Sequence, residues 1–146
     1  MNLQDFFPYR LAVLAEAVSR SIALVYTARF NLTRDEWRVL AALAETGAMK
    51  TTHVIEHTTL DKMQVSRAVK QLACDGYLDR TGDPDDGRGY VLQLTPQGRT
   101  LYRKVVPMVQ AREAFLLEDL TPEERAALDS ALRKVWLRTH RLVRQD

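Results

Sequence analysis

Six side chains between positions 62 and 71 have the types and spacing to read another molecule through hydrogen bonds. Lys62, Gln64, Ser66, Arg67, Lys70 and Gln71 alternate with Val65, Ala68 and Val69, and no acid interrupts them. On a helix, Val65, Ala68, Val69 and Leu72 form one apolar stripe and the six polar residues fall on the other side. Arg67 carries a planar fork that matches the two acceptors of a guanine edge, and Gln64 or Gln71 can offer adenine one donor and one acceptor. Lys62, Ser66 and Lys70 suit phosphate oxygens, which set register rather than sequence. A polar helix face is also an ordinary solvated surface, so the neighbouring elements must decide between the two.

Three other groups have chemistry to weigh. His53-x-x-Glu56-His57 has the inverted zinc-protease spacing, in which two histidines one turn apart hold a metal and the glutamate activates water. A metal-dependent hydrolase needs a third ligand and a cleft, and no third ligand is identifiable. Cys74 is the only cysteine, which excludes a disulfide within the chain. It sits near a helix end, away from the helix N-terminus that would activate a thiol. A small buried residue is expected there; a thiol redox-sensing regulator acting through Cys74 is the alternative. Phe6, Phe7, Tyr9 and Arg10 cluster at the start. They could hold an aromatic acid, with Arg10 on its carboxylate, or dock the N-terminus on a second subunit.

The elements that must position these groups follow from periodicity and caps. Leu11, Leu14, Val18, Ile22 and Val25 mark a helix over 9–30. Thr33-Arg34-Asp35-Glu36 has capping-box spacing and opens a second helix, buried through Trp37, Val39, Leu40, Leu43 and Ala44 and closed near Gly47. A short helix over 51–58 and a longer one over 61–75, started by Asp61 and Gln64, are separated by a tight turn at Thr58-Thr59-Leu60, which is a helix-turn-helix pattern. Tyr77–Thr81 and Gly89–Leu94 read as two strands, joined by a charged loop, residues 82–88, too polar for a core. Arg88 near the tip of that hairpin suits a narrow minor groove, and Asp86 can brace it. Thr95-Pro96 opens a helix reaching about Asp119, with Pro107 expected to kink it or mark a register change, and Thr121-Pro122 opens a last one along Leu128, Leu132, Val135 and Leu142.

Composition narrows the class. The chain of 146 residues is 46% hydrophobic and 27% charged, ordinary for a globular protein. Its net charge of +2 is too small for a polybasic coat, but the excess lies entirely in residues 50–104, with nine basic and seven acidic side chains. No uncharged apolar run approaches the ~18–20 residues of a membrane span, and the N-terminus lacks the basic region of a signal peptide. A cytoplasmic protein, not an enzyme and without a cofactor, is the simplest expectation.

Taken together, Leu32-Thr33, Glu36-Trp37-Arg38-Val39-Leu40, Leu60-Asp61-Lys62, Val65-Ser66-Arg67-Ala68-Val69, Gly76-Tyr77-Leu78, Asp83-Pro84-Asp85-Asp86-Gly87-Arg88-Gly89 and Leu94-Thr95-Pro96-Gln97-Gly98 resemble the MarR family of multiple-antibiotic-resistance-type bacterial repressors. The likeness covers roughly residues 8–140, and Asp86-x-Arg88 followed by Leu94-Thr95-x-x-Gly98 is its most specific part. It implies a mainly α (α+β) fold of one domain unit over 1–146. Within it, a winged helix-turn-helix spans 33–98, with a recognition helix at about 61–75 and a wing at about 77–94. Helices in 8–30 and 99–146 would form a dimerisation region. The resemblance implies a homodimer on palindromic double-stranded DNA, released by a small ligand such as an aromatic or phenolic acid. Ser66 and Arg67 match the family's groove contacts and Arg88 its wing contact, while Gln71 stands where some relatives have arginine. A winged helix that binds protein rather than DNA is the remaining alternative.

Overall fold

Backbone groups at helix starts need partners, and this chain supplies them from short polar side chains. In the computed structural model, which describes residues 1–144, Thr33, Asp61 and Thr121 each close a capping box with Glu36, Gln64 and Glu124. The helices are α1 (Phe7–Phe30), α2 (Arg34–Thr46), α3 (Thr51–His57), α4 (Lys62–Cys74), α5 (Pro96–Leu116) and α6 (Pro122–Val143), after one turn of 3-10 helix at Leu3–Asp5. The strands are β1 (Met49–Lys50), β2 (Leu78–Asp83) and β3 (Asp86–Leu94). They form one antiparallel sheet in the order β1-β3-β2. The fold is mainly α, a winged helix-turn-helix with long helices before and after it.

The chain divides into two units, Met1–Arg112 and a second one from Glu113 onward. The core lies in the first. Val39 and Leu40 of α2, Val54 of α3, Val65 and Leu72 of α4, Leu92 of β3 and Val105 of α5 are fully buried. Each such side chain contributes about 1.5–3 kcal/mol relative to exposure. A ladder of rings joins three helices: Tyr26 stacks on Trp37 at 5.4 Å, and Trp37 on Tyr102 at 5.8 Å. Burial pushes both phenol pKa values above the ordinary 10.0.

α1 enters this core only near its end. Ala23 and Tyr26 are buried, whereas Leu11, Val13, Leu14, Val18 and Leu24 stay exposed. By length and composition alone α1 could cross a membrane. Glu16 in its middle is engaged with α2: Arg34 bonds it at 3.0 Å and holds that carboxyl below its ordinary pKa. In the second unit α6 buries no residue, and Leu128, Leu132, Val135, Trp136 and Leu137 are exposed.

Three of the secondary-structure elements depart from the sequence reading. β1 was not foreseen, because two residues carry no periodicity; they become a strand only by pairing with Leu92 and Val91 of β3. The hairpin strands run further than 81 and start before 89, leaving only Pro84-Asp85 as the turn, and Asp83 is buried rather than part of a solvated loop. α5 passes through Pro107 without interruption and stops at Leu116, short of Asp119. A proline removes one ladder donor, which a helix held by Leu101 and Val105 in the core can tolerate.

The hairpin is closed onto α5 at one point. Thr95 donates its N–H to the Tyr77 carbonyl at 3.1 Å and its hydroxyl to the Gly76 carbonyl at 2.6 Å, while accepting the Gly98 N–H at 3.0 Å. Gly98 thereby presses on the chain at Tyr77: a Cβ there would lie 2.1 Å from the Tyr77 carbonyl oxygen. Backbone cannot yield as a side chain tip can, so Gly98→Ala is expected to cost about 1–3 kcal/mol. Gly87→Ala, where nothing lies within 4 Å of the added atom, serves as the control. Denaturant unfolding of both variants checks this; equal midpoints would refute the close-packing argument.

Candidate nucleic-acid interface

α4 is held by its stripe. Val65, Ala68, Val69 and Leu72 face the core, and Lys62, Ser66, Arg67, Lys70 and Gln71 are exposed on the opposite side, with Gln64 half-buried. Among the described residues, none of Lys62, Arg67, Lys70 and Arg88 is in an ion pair, so their charge is available to a ligand. Arg67, Lys70 and Gln71 line an open groove shared with Thr33, Asp35 and Glu36 at the start of α2.

Two of the polar side chains are already engaged. Gln64 Oε1 accepts the Asp61 N–H at 2.9 Å, so this glutamine completes the cap while its amide nitrogen stays free for another partner. Gln71 Nε2 donates to Asp75 Oδ1 at 3.0 Å. Arg67 is thus the fork-shaped group on this face without an internal partner. Met63, not singled out from sequence, is 69% exposed in the first turn of α4. An apolar tip at such a position can meet a thymine methyl. The detectable signal was a methionine off the apolar stripe.

The turn between α3 and α4 is tied back to α1. Arg38 of α2 donates to Thr59 Oγ1 at 3.0 Å and to Ser19 Oγ at 3.2 Å. The same arginine therefore touches the helix-turn-helix turn and the first helix.

The wing carries Arg88 exposed, two residues beyond the turn-side end of β3. Asp86 Oδ1 accepts the Arg88 backbone N–H at 3.0 Å. The brace is thus through the main chain, which shapes the strand and leaves the guanidinium free. Arg80 stacks over the half-exposed Tyr90 ring at 5.5 Å and adds a second cation to the hairpin. Sequence reasoning also missed Lys50 and Asp83. Lys50 Nζ lies 3.3 Å from Asp83 Oδ2 and 3.3 Å from Asp85 Oδ2. The Asp85 backbone N–H, and then Lys50, hold the Asp83 carboxyl below its ordinary 3.8; the bond to Asp83 raises Lys50 above 10.5. Asp83 therefore contributes fully above pH 3.8 and loses this contribution as pH falls through its lowered value, and Lys50 does so only as pH rises past 10.5. The pair stays charged across the intervening range.

The other candidates lie elsewhere. His53, Glu56 and His57 are exposed on α3, and among the described residues no three His, Cys, Asp or Glu side chains gather into a metal cluster. Cys74 is exposed, contrary to the expectation of a buried residue. It lies two positions past Leu72, about 200° around the helix, and so borders the groove with α2 rather than the core. Phe7 and Arg10 are exposed and Tyr9 half-buried at the start of α1.

A MarR-family sequence model matches residues 30–89, the stretch from the end of α1 into the wing. The multiple antibiotic resistance protein MarR of Salmonella typhimurium is 25% identical over 111 residues, 75% of this chain and 77% of that protein. A MarR/EmrR family transcriptional regulator from Acinetobacter sp. ADP1 superposes with a TM-score of 0.85 at 27% identity, covering 97% of this chain and 99% of that one. Bordetella bronchiseptica BpsR, whose DNA binding is regulated by 6-hydroxynicotinic acid, superposes with a TM-score of 0.74 at 27% identity, over 86% of this chain and 98% of that one. With a helix-turn-helix whose second helix buries one face and exposes an unpaired basic one, followed by an arginine-bearing wing, the chain is similar to the MarR family of transcriptional regulators in both sequence and fold.

Proposed function

We propose that this protein is a ligand-responsive repressor that binds palindromic operator DNA as a homodimer in the bacterial cytoplasm. The observation that carries the DNA reading is the exposed face of α4, where Lys62, Arg67 and Lys70 stand without ion-pair partners opposite a fully buried stripe. In this reading α4 lies in the major groove. Arg67 reads guanine, Gln71 and the free amide of Gln64 add contacts, and Lys62, Ser66 and Lys70 hold phosphates. Arg88 enters the adjacent minor groove from the wing.

The dimer reading rests on apolar surface. α1 exposes Leu11, Val13, Leu14, Val18 and Leu24, and α6 exposes Leu128, Leu132, Val135, Trp136 and Leu137. Exposed large apolar side chains in such number mark association surfaces. Residues 8–30 and 99–146 thus form the dimerisation region, with 33–98 as the DNA-binding region. Regulation of BpsR by 6-hydroxynicotinic acid supports an aromatic acid as the class of effector. Phe7, Tyr9 and Arg10 are the residues assigned to it, two rings and a cation for a ring and a carboxylate.

Selection from random DNA tests the reading. A palindrome with half-sites about one helical turn apart should be enriched. Affinity for it should fall steeply as salt rises, because phosphate contacts release counterions. A monomer-sized footprint, or binding indifferent to salt, would refute it. On the selected duplex, Arg67→Ala should cost roughly 1–3 kcal/mol per half-site and relax the preference at one base position. An unchanged base profile from a repeat selection would remove Arg67 from direct readout.

A further inference from the structure

β1 and β2 flank β3 without pairing to each other, so within the sheet β1 meets the hairpin's backbone only through β3. Lys50 of β1 pairs with Val91 of β3, so these two side chains share a face of the sheet. Gly89 lies two residues further along β3 and belongs to the same face. Asp83, the last residue of β2, lies beside it: a Cβ on Gly89 would be 3.5 Å from Asp83 Cβ and 3.6 Å from Asp83 Oδ2. The missing side chain at position 89 leaves this part of the face open, and Lys50 reaches Asp83 Oδ2 there at 3.3 Å.

The Asp83 side chain is only 4% exposed. Its other oxygen accepts the Asp85 N–H at 2.9 Å, which ties the carboxylate to the turn itself. A carboxylate withdrawn from water needs its partner, because removing one member leaves an uncompensated charge. A two-stranded ribbon has little rigidity of its own. A charge-assisted bond from the third strand to the base of the turn therefore restricts the bend and twist of the wing. Asp85, well exposed, provides a second anchor for the same ammonium.

We propose that Lys50 and Asp83 form a strut that sets the angle at which the wing, and with it Arg88, meets the operator. Both are then positioning residues for DNA binding, an inference that rests on the DNA-binding reading above. The strut has a diagnostic sign. Asp83 is an acid beside a surface that receives a polyanion, so simple electrostatics favours its removal. A strut demands the opposite.

The test uses the full chain and the duplex selected with the wild-type protein, titrated at several salt concentrations. Asp83→Asn is expected to weaken binding about ten-fold, a size in keeping with a lost charge-assisted hydrogen bond, even though it removes negative charge. Lys50→Met should lose a similar factor, the double variant should be no weaker than either single one, and Lys50→Arg should recover most of the affinity. Salt slopes should stay at the wild-type value. Asp83→Asn binding as well as or better than wild type would overturn the proposal, as would losses that multiply in the double variant. If Asp83→Asn does not fold, the Lys50 variants decide: lost affinity at constant slope supports the strut, and a slope lower by about one phosphate makes Lys50 a direct contact instead. Failure of the wild-type protein to enrich any duplex would overturn the DNA-binding reading itself, and this inference with it, and is distinguishable from a wild-type protein that binds while Asp83→Asn is silent.

Discussion

The thirteen residues of α4 must satisfy water-free packing on one side and an exposed, charged surface on the other. Burial of Val65, Ala68, Val69 and Leu72 is the interaction that sets this division. Rotating the helix by one residue, about 100°, would bring Arg67 or Lys70 toward the core, and an unpaired charge costs far more there than the apolar contacts could return. The stripe therefore holds the helix azimuth, and the azimuth decides which side chains a ligand can meet. The Asp61–Gln64 capping box fixes where the helix begins and turns the Gln64 carbonyl oxygen toward the Asp61 N–H in doing so. Local structure thus limits the chemistry open to that glutamine.

The wing is governed by a different balance. It has few buried side chains beyond Leu78, Leu92 and Leu94, so its placement depends on backbone pairing and a few polar contacts. At its base, Thr95 and Gly98 lock the end of β3 and the start of α5 against Tyr77 and Gly76. At its tip, Asp86 holds the backbone at Arg88 and Asp83 meets Lys50. The acids that make residues 82–88 read as a solvated loop are therefore structural: they spend their hydrogen-bonding capacity on N–H groups and one lysine, and Arg88 stays free. This also explains how a chain of net charge +2 presents a cationic site. The wing-tip acids Asp83, Asp85 and Asp86 are internally engaged, whereas Lys62, Arg67, Lys70 and Arg88 are in no ion pair.

α1 and α2 connect the two kinds of surface. Tyr26, Trp37 and Tyr102 stack across α1, α2 and α5, and Arg38 joins Ser19 of α1 to Thr59 of the helix-turn-helix turn. A shift of α1 against α2 must break or carry these contacts, because stacked rings and a shared guanidinium do not stretch. The exposed apolar residues of α1 thus belong to a helix mechanically continuous with the recognition element.

Short-range rules govern the features that can be read along the chain. Caps at Thr33, Asp61 and Thr121, the two faces of α4, and the alternation through Tyr90, Leu92 and Leu94 are short-range patterns, and each could be located within a few residues. The likeness carried by Asp86-x-Arg88 and Leu94-Thr95-x-x-Gly98 added the family. Tertiary structure alone decided the rest, for physical reasons that no local window contains. Met49 and Lys50 are a strand only because β3 offers its edge. Asp83 is buried only because Lys50, 33 positions earlier, arrives to neutralise it. Cys74 is exposed because α2 leaves a groove beside α4 where a small residue would otherwise be covered. Each of these is a long-range pairing, and the residue's type sets what it can do while its distant partner sets whether it does it.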